Sequence, residues 1–315
     1  MKNKNYIRQS ITSPLSARRG AGGEASRREA IKNILTGSAA IAAGGSLSSF
    51  MNDSSFKKIK YKGNINHSVC KWTYDFLTLD ELCTTVKKIG FSAIDLCTPS
   101  EWATLKKYDI FCSMCYHGGE VSLTKGFNDT QYHPSLIKDY TDAIPLVAAA
   151  GYKNIICFSG NKNGMDDETG MKNCITGLKQ ILPLAEKNNV IVQMEVFNSK
   201  VDHKDYMADN TKWAFELVRR IGSPNFKILY DIYHMQIDEG DVIHTITDNH
   251  EMIGHYHTAG VPGRHEIDET QELFYPAIMR AIVKTGYKDY VAQEFIPEAE
   301  DKIASLYKAI AICDV

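Results

Sequence analysis

The sequence lacks three features that would each have indicated a class of protein. It has no apolar run of about 18 residues, the length a bilayer-spanning helix needs, so stable membrane insertion is not expected. Its net charge is −2, which gives no broad basic field, and no nucleic-acid partner is expected. It also has no G-x-G-x-x-G after the first apolar run and no Walker A sequence, which argues against a nucleotide-binding fold.

Cysteine provides no disulfide or zinc-finger pattern. The chain has 8 cysteines, and most lie inside apolar segments, which is typical of buried free thiols. Cys112 and Cys115 form a C-x-x-C spacing inside the apolar run IFCSMCYH. No second Cys/His pair stands at zinc-finger distance, so this motif alone gives little support for a metal or redox role.

The first 60 residues differ in character from the rest. Residues 1–33 are polar and basic without apolar periodicity, and residues 34–45 (ILTGSAAIAAGG) are weakly apolar, like the h-region of a signal peptide. The stretch SRREAIK at 26–32 resembles a twin-arginine export signal, although Ala30 stands where Phe is common. We therefore expect residues 1–60 to be a targeting segment outside the core, with export to the periplasm. The alternative is a cytoplasmic protein in which this segment is a disordered tail or a short surface helix.

From residue 61 to residue 315, short apolar runs alternate with longer amphipathic ones. This alternation indicates a parallel β-sheet wrapped by helices. Eight such units in about 250 residues predict a single α/β domain that is a (β/α)₈ TIM barrel. A doubly wound open sheet is the alternative. The predicted strands are 65–70, 92–97, 110–117, 154–160, 190–197, 228–234, 253–259 and 291–296.

Strands five to eight each end in a residue that can bind a metal: Glu195, Asp231, His257 and Glu294. In a TIM barrel the carboxyl ends of all strands meet at one mouth. Any one of these residues could face solvent or cap a helix, but three neighbouring carboxylates repel one another unless a cation offsets them. The pattern predicts a divalent metal. The mainly oxygen donor set suits Mn²⁺, Mg²⁺ or Co²⁺ and tolerates Zn²⁺.

From about Ile65 onward the chain resembles the xylose-isomerase-like TIM-barrel superfamily, most closely hydroxypyruvate isomerases and related sugar isomerase/epimerase proteins. The resemblance is carried by NSKVDHKDY (198–206), DIYHMQ (231–236), IGHYHTAGVPGRHE (253–266) and QEF (293–295). It implies that the four strand-end residues bind the metal and that Glu195 and Glu294 also form an acid/base pair. In one departure, hydroxypyruvate isomerases typically carry Gln where His257 stands, whereas ketose epimerases carry His.

The same resemblance implies substrate contacts around the metal. It assigns His234 to substrate binding, and Arg264 would supply positive charge for a carboxylate or for polar oxygens. The alternatives are a buried histidine bonded to backbone and a solvated loop arginine. Glu266 would orient Arg264 or face water. Further candidates for the substrate site are His117, Asn198 and His203.

The expected activity is isomerisation of a small hydroxycarbonyl compound, with hydroxypyruvate to tartronate semialdehyde as the named reaction. Two carboxylates beside a metal-held substrate would move a proton through an enediolate. A ketose 3-epimerase or keto-sugar isomerase would use the same site, and a non-catalytic sugar-binding barrel is an alternative of another class. A nuclease of the endonuclease-IV type shares the fold but needs more His and Asp ligands and a basic rim. Assembly into a homo-oligomer is left open.

Overall fold

The computed structural model describes residues 58–119 and 123–315. The twin-arginine motif predicted at residues 26–32 lies outside the described residues. Within them, every helix is too short or too polar to cross a membrane.

Eight parallel strands form a closed barrel. The strands are β1 Asn66–Val69, β2 Ala93–Ile94, β3 Phe111–Cys112, β4 Asn154–Cys157, β5 Ile191–Glu195, β6 Phe226–Asp231, β7 Ile253–Thr258 and β8 Tyr290–Gln293. Six pair in the order β1-β8-β7-β6-β5-β4, and β2 pairs with β3. Single bridges from Cys70 to Asp95 and from Cys115 to Ile155 join the two sheets. The predicted TIM barrel is therefore confirmed.

Helices cover the outside of the barrel and bury one apolar face against the strands. In the first helix, Leu82, Val86 and Ile89 are buried. A capping box at Thr78 starts that helix, and Gly90 ends it in a left-handed conformation with φ 118°. The helices are α1 Leu79–Ile89, α2 Trp102–Lys107, α3 His133–Ala149, α4 Asp167–Asn188, α5 Thr211–Ile221, α6 Ile232–Asp238, α7 Val242–Asn249, α8 Tyr275–Lys284 and α9 Lys302–Cys313.

The sixth strand is shorter than predicted. The sequence favoured a strand over 228–234, but β6 ends at Asp231 and α6 begins at the next residue. The Asp231 carboxylate accepts the backbone N–H of His234 at 3.2 Å, so Asp231 caps this helix. A continuous apolar run does not distinguish strand from buried helix. Asp231 therefore ends a strand and starts a helix at the barrel mouth.

The third strand is also shorter than predicted. Only Phe111–Cys112 pairs as a ladder, and the rest of the predicted strand 110–117 touches the barrel through isolated bridges at Cys115.

All 8 cysteines are free and buried, in agreement with the expectation of buried thiols.

The last helix starts at Lys302 because the Asp301 side chain accepts the N–H groups of Ile303 and Ala304.

A β-bulge in β7 sets the register at the mouth. Ile228 pairs with Ile253, but the next residue of β6 pairs with His255, so Gly254 is left unpaired. A Cβ at position 254 would lie 2.6 Å from the side-chain oxygen of Gln193, which only glycine avoids. The shift pairs Asp231 with His257. Without it, Asp231 would lie opposite Tyr256, and the two polar side chains would not share a face.

Candidate metal centre

The structure brings together the four residues at the ends of strands five to eight. Glu195 ends β5, Asp231 ends β6, His257 lies in β7, and Glu294 directly follows β8. One donor atom from each lies within 4.8 Å of the donor atoms of the other three. All four side chains are buried, with at most 3% of the residue surface exposed. We call these four residues the mouth cluster.

One imidazole nitrogen joins two of the carboxylates. His257 Nδ1 lies 2.9 Å from Glu195 Oε1 and 2.7 Å from Glu294 Oε2. On the other side of the cluster, Arg264 Nη2 donates to Asp231 Oδ2 at 3.0 Å and also contacts Glu294 Oε2. Glu195 and Glu294 therefore flank the same nitrogen.

The electrostatics show that carboxylates crowd the mouth cluster. Burial, followed by the nearby Glu294, raises the pKa of Glu195 to about 8. Burial also raises the pKa of Asp231, although Arg264 opposes the shift. For Glu294 burial opposes ionisation, but His257 and Arg264 lower its pKa to about 2. His257 and Arg264 thus stabilise the ionised form of Glu294. Ionised Glu294 in turn disfavours ionisation of the other two carboxylates.

The mouth cluster fits a divalent metal. Three carboxylate oxygens and one imidazole nitrogen form an oxygen-rich set of the kind that hard cations prefer. Three buried acidic side chains share one arginine, so an added positive charge would relieve the repulsion that raises the pKa of Glu195 and Asp231. The residues that would hold the ion are Glu195, Asp231, His257 and Glu294.

Asp95 lies behind His257. Its Oδ2 is 3.1 Å from His257 Nε2 and 2.7 Å from His255 Nε2. Asp95 was not among the site residues predicted from the sequence. The signal was the same as for Glu195, because SAIDLC at 92–97 is an apolar run that carries a carboxylate.

Three of the predicted substrate-binding residues, Asn198, His234 and Arg264, form one set of contacts that reaches the mouth cluster. Asn198 Oδ1 accepts the backbone N–H groups of Val201 and Asp202, both at 3.0 Å, so its NH₂ group faces His234 Nδ1 at 2.7 Å. Burial and the adjacent Arg264 lower the pKa of His234 well below its usual range. The Arg264 guanidinium, which only donates hydrogen bonds, contacts His234 Nε2 at the mouth.

Trp72 is a second residue that the sequence analysis missed. It lies in a 3₁₀ turn, Lys71–Tyr74, that follows β1 almost directly and so opens at the same mouth. Its indole N–H donates to Glu294 Oε1 at 2.7 Å. The guanidinium of Arg264 lies 5.8 Å from the centre of the indole ring. No feature of the sequence around Trp72 pointed to this contact.

The remaining predicted residues are placed differently. His117 Nδ1 accepts the N–H of Gly119 at 2.9 Å, and its ring packs on Tyr140, so its described contacts do not include the mouth cluster. His203 stacks on Phe197 and lies 5.2 Å from the His234 ring, at the edge of the site.

The structure gives Glu266 neither of the two roles considered for it, which were orienting Arg264 and facing water. Its carboxylate accepts the N–H groups of Glu298 and Ala299, each at 3.0 Å. It therefore anchors the loop after β8 and does not orient Arg264.

An eight-stranded parallel barrel with a buried carboxylate–histidine cluster at its mouth defines the class: an α/β TIM barrel with a candidate metal centre. Residues 83–310 match the family described as xylose isomerase-like TIM barrel, and the chain belongs to that family. A buried Glu/Asp/His cluster of this kind is typical of the family. The predicted resemblance is therefore confirmed.

The relatives are isomerases of small sugar-like substrates. The chain is 31% identical over 157 residues to hydroxypyruvate isomerase of Escherichia coli K12, covering 50% of this chain and 60% of that protein. It is 34% identical over 115 residues to 2-oxo-tetronate isomerase of Cupriavidus necator, covering 36% of this chain and 44% of that one. The match thus spans about half the length of these relatives.

Solved structures share the fold. An AP endonuclease of family 2 from Brucella melitensis superimposes with a TM-score of 0.69 at 21% identity, over 77% of this chain and 96% of that one. D-psicose 3-epimerase from Clostridium cellulolyticum H10, solved with D-tagatose, superimposes with a TM-score of 0.66 at 16% identity, over 80% of this chain and 100% of that one. At these identities the likeness supports the barrel fold alone.

Proposed function

We propose that this protein is a divalent-metal-dependent isomerase of a small hydroxycarbonyl substrate, with hydroxypyruvate to tartronate semialdehyde as the leading reaction. The observation that carries the proposal is the placement of Glu195 and Glu294 on either side of His257 Nδ1, at 2.9 and 2.7 Å, in a buried oxygen-rich cluster. Two carboxylates so placed can face two sides of one bound substrate. A protein that only binds sugar would have no need for such a pair.

The chemistry requires that an α-proton be removed and that a proton be returned to a neighbouring carbon. Glu195 and Glu294 would perform these two transfers as base and acid. A metal bound by the mouth cluster would supply Lewis-acid stabilisation of negative charge on the substrate oxygens. The indole N–H of Trp72 fixes one oxygen of Glu294 at 2.7 Å, so the other oxygen faces the cluster. Arg264, together with the adjacent His234, would hold a carboxylate or hydroxyl of the substrate.

Two observations support an α-hydroxy-carbonyl acid as the substrate. The Arg264 side chain is 12% exposed and reaches the mouth cluster, where a guanidinium suits a planar carboxylate. In addition, the matched relatives include hydroxypyruvate isomerase and 2-oxo-tetronate isomerase. Both names denote isomerases of oxo-acids.

A ketose or keto-sugar epimerase is the second candidate, and the observation that favours it is His257. Hydroxypyruvate isomerases typically carry Gln at this position, whereas ketose epimerases carry His. An epimerase would use the same two glutamates, with one removing a proton and the other returning it to the opposite face of the same carbon.

A substrate panel in D₂O tests the proposal. The purified protein with Mn²⁺ is incubated with hydroxypyruvate, with ketohexoses and with 3-keto-sugars, and products are followed by NMR. We expect deuterium at the carbon next to the carbonyl and a new aldehyde product from hydroxypyruvate. Deuterium with an inverted centre in a ketose would instead favour epimerisation. Absence of deuterium from all of the compounds would contradict the acid/base assignment.

We also propose that residues 1–60 direct export through a twin-arginine route. The support is the SRREAIK motif at 26–32 followed by the short apolar run at 34–45. Replacing Arg27 and Arg28 with Lys tests this in cells that produce the full chain. We expect the unaltered chain in the periplasmic fraction and the double variant in the cytoplasm. Equal distribution of the two would contradict the proposal.

A further inference from the structure

A second polar group lies inside the barrel, directly behind the mouth cluster. Asp95 follows β2 and is fully buried, with 0% of its surface exposed. Four side chains approach its carboxylate. They are Ser68 from β1, Ser113 after β3, and His255 and His257 from β7. We call Asp95, Ser68, Ser113 and His255 the Asp95 cluster, and His257 belongs to the mouth cluster as well.

The four contacts divide evenly between the two carboxylate oxygens. Oδ1 accepts from Ser68 Oγ at 2.9 Å and from Ser113 Oγ, while Oδ2 faces His255 Nε2 at 2.7 Å and His257 Nε2 at 3.1 Å. An ionised carboxylate only accepts hydrogen bonds, so each ring must present an N–H at Nε2. In the neutral form of His257 that binds a metal, the lone pair would then be on Nδ1, the nitrogen that faces Glu195 and Glu294.

The Asp95 carboxylate cannot turn freely. The rings of His255 and His257 stand at 84° with centroids 5.3 Å apart, so Oδ2 is held between two donors in different planes. The two serine hydroxyls hold Oδ1 from neighbouring strands. Contacts from three strands thus fix the position of the oxygen that meets His257.

A second ion is the competing explanation for this group. Cys70, Asp95 and His257 are also close enough together to hold a metal. However, both Asp95 oxygens are already occupied by protein donors, and Cys70 Sγ lies 3.7 Å from His257 Nε2. A hydrogen-bonded carboxylate behind a metal-binding histidine explains all four contacts without an added ion.

We propose that Asp95 is the positioning residue of the metal centre, holding His257 with its proton on Nε2 so that Nδ1 faces the metal. This inference rests on the proposed function, because it takes the mouth cluster to be a metal site. It goes further by extending the site to the residue directly after β2, a strand that supplies none of the four ligands. Loss of such a partner typically weakens metal affinity by about 10–100-fold.

Asp95→Asn tests the proposal, because asparagine keeps the shape of the side chain and removes its charge. The matched control is Asp314→Asn. Asp314 is also a buried carboxylate that faces a histidine, His67 at 3.6 Å, but it lies near the amino end of β1 and not at the strand ends that carry the mouth cluster. For the wild type and both variants, the dissociation constant for Mn²⁺ is measured by calorimetry, and the thermal stability of the metal-free proteins is measured alongside.

We expect Asp95→Asn to weaken Mn²⁺ binding by about 10–100-fold and Asp314→Asn to leave it within about 2-fold, even if both lose stability. Equal affinity in all three proteins would overturn the positioning role and leave the metal site intact. Equal weakening by both variants would assign Asp95 a merely structural role. A wild type that binds no Mn²⁺ would contradict the proposed function and, with it, this inference.

A spectroscopic measurement on the wild type does not depend on whether a variant folds. In the Zn²⁺-loaded protein, ¹⁵N chemical shifts report which nitrogen of His257 carries the proton. We expect the proton on Nε2 and the metal on Nδ1. A proton on Nδ1 would overturn the proposal. Two Zn²⁺ ions per chain, falling to one in Asp95→Asn, would assign a second metal site in its place.

Discussion

The mouth cluster and the Asp95 cluster are adjacent regions of one barrel interior, yet their charges are balanced differently. In the Asp95 cluster, one carboxylate meets four side-chain contacts from the protein itself. In the mouth cluster, three carboxylates share one arginine and one histidine, and burial raises the pKa of two of them. A buried carboxylate whose oxygens are fully hydrogen-bonded by the protein holds the neighbouring side chains in position. A surplus of buried carboxylates is a site where an added cation would relieve repulsion.

The largest expected effect comes from removing one carboxylate of the mouth cluster. Glu294→Gln keeps the size of the side chain but cannot exchange a proton at neutral pH. We expect the rate of deuterium incorporation into substrate to fall by about 10²–10⁴-fold, the usual contribution of a general acid or base. The rate is measured by NMR in D₂O with Mn²⁺ present.

Glu298→Gln is the control for that variant. Glu298 lies four residues later, and its side chain is 68% exposed beside His265. Its change should leave the exchange rate within about 2-fold, because solvated pairs contribute little. If Glu294→Gln binds substrate and exchanges its proton at the wild-type rate, the mouth cluster is not the proton-transferring pair. Retained ligand binding in a wild type with no exchange would favour a sugar-binding barrel.

A smaller effect is expected from a substitution at Gly254, in the β-bulge that pairs Asp231 with His257. Gly254→Ala would place a Cβ 2.6 Å from Gln193 Oε1, whose amide is held by Asn154 at 2.9 Å. We expect a loss of about 1–3 kcal/mol in the free energy of unfolding, as for overpacking in a core, measured by urea denaturation. Mn²⁺ affinity should fall as well, because the bulge sets the pairing of Asp231 with His257.

The double variant Gly254→Ala/Gln193→Ala serves as the check. Since the shorter side chain at 193 removes the clash, the two changes should be non-additive, and part of the lost affinity should return. Strict additivity would show that the contact with Gln193 does not maintain the register.

The smallest effect concerns a third region, near the amino end of β1, where titration should change stability without touching the metal centre. Burial, partly opposed by Asp314, lowers the pKa of His67 to about 4. The unfolded chain, with an ordinary pKa near 6.5, therefore binds this proton more tightly. The stabilising contribution is present in full above about pH 6.5 and is lost as the pH falls toward 4.

Between about pH 6.5 and 4, the free energy of unfolding should thus fall less in His67→Gln than in the wild type. The difference is on the order of 1–3 kcal/mol. Urea denaturation across this range measures the difference, and His244→Gln, at an exposed histidine of α7, should match the wild type. Identical pH dependence of His67→Gln and the wild type would contradict the assignment. Mn²⁺ affinity at neutral pH should be unchanged in both variants.

The sequence predicted those parts of the site that depend on strand ends alone. Glu195, Asp231, His257 and Glu294 could be identified because each follows an apolar run, and parallel strands bring their carboxyl ends to one mouth. The role of Asp231 as a helix cap was not predictable, since the apolar run continued through it.

Contacts between side chains on distant strands could not be predicted from the sequence. The role of Asp95 follows from its contacts with side chains on β1 and β7 and with one just after β3. The role of Trp72 follows from a single hydrogen bond to Glu294. The bulge at Gly254 depends on the size of Gln193 on another strand. Such partners follow from the three-dimensional register of the barrel, which local patterns do not encode.

Binding of Mn²⁺ to the purified chain, measured by calorimetry for the wild type and Asp231→Asn, tests the central claim most directly. The account predicts one tightly bound ion per chain, with a rise in thermal stability that follows from binding to the folded state. It predicts at least a 10-fold loss of affinity in Asp231→Asn, because one of the four donors of the mouth cluster is weakened. No binding by the wild type, or equal binding by the variant, would contradict it.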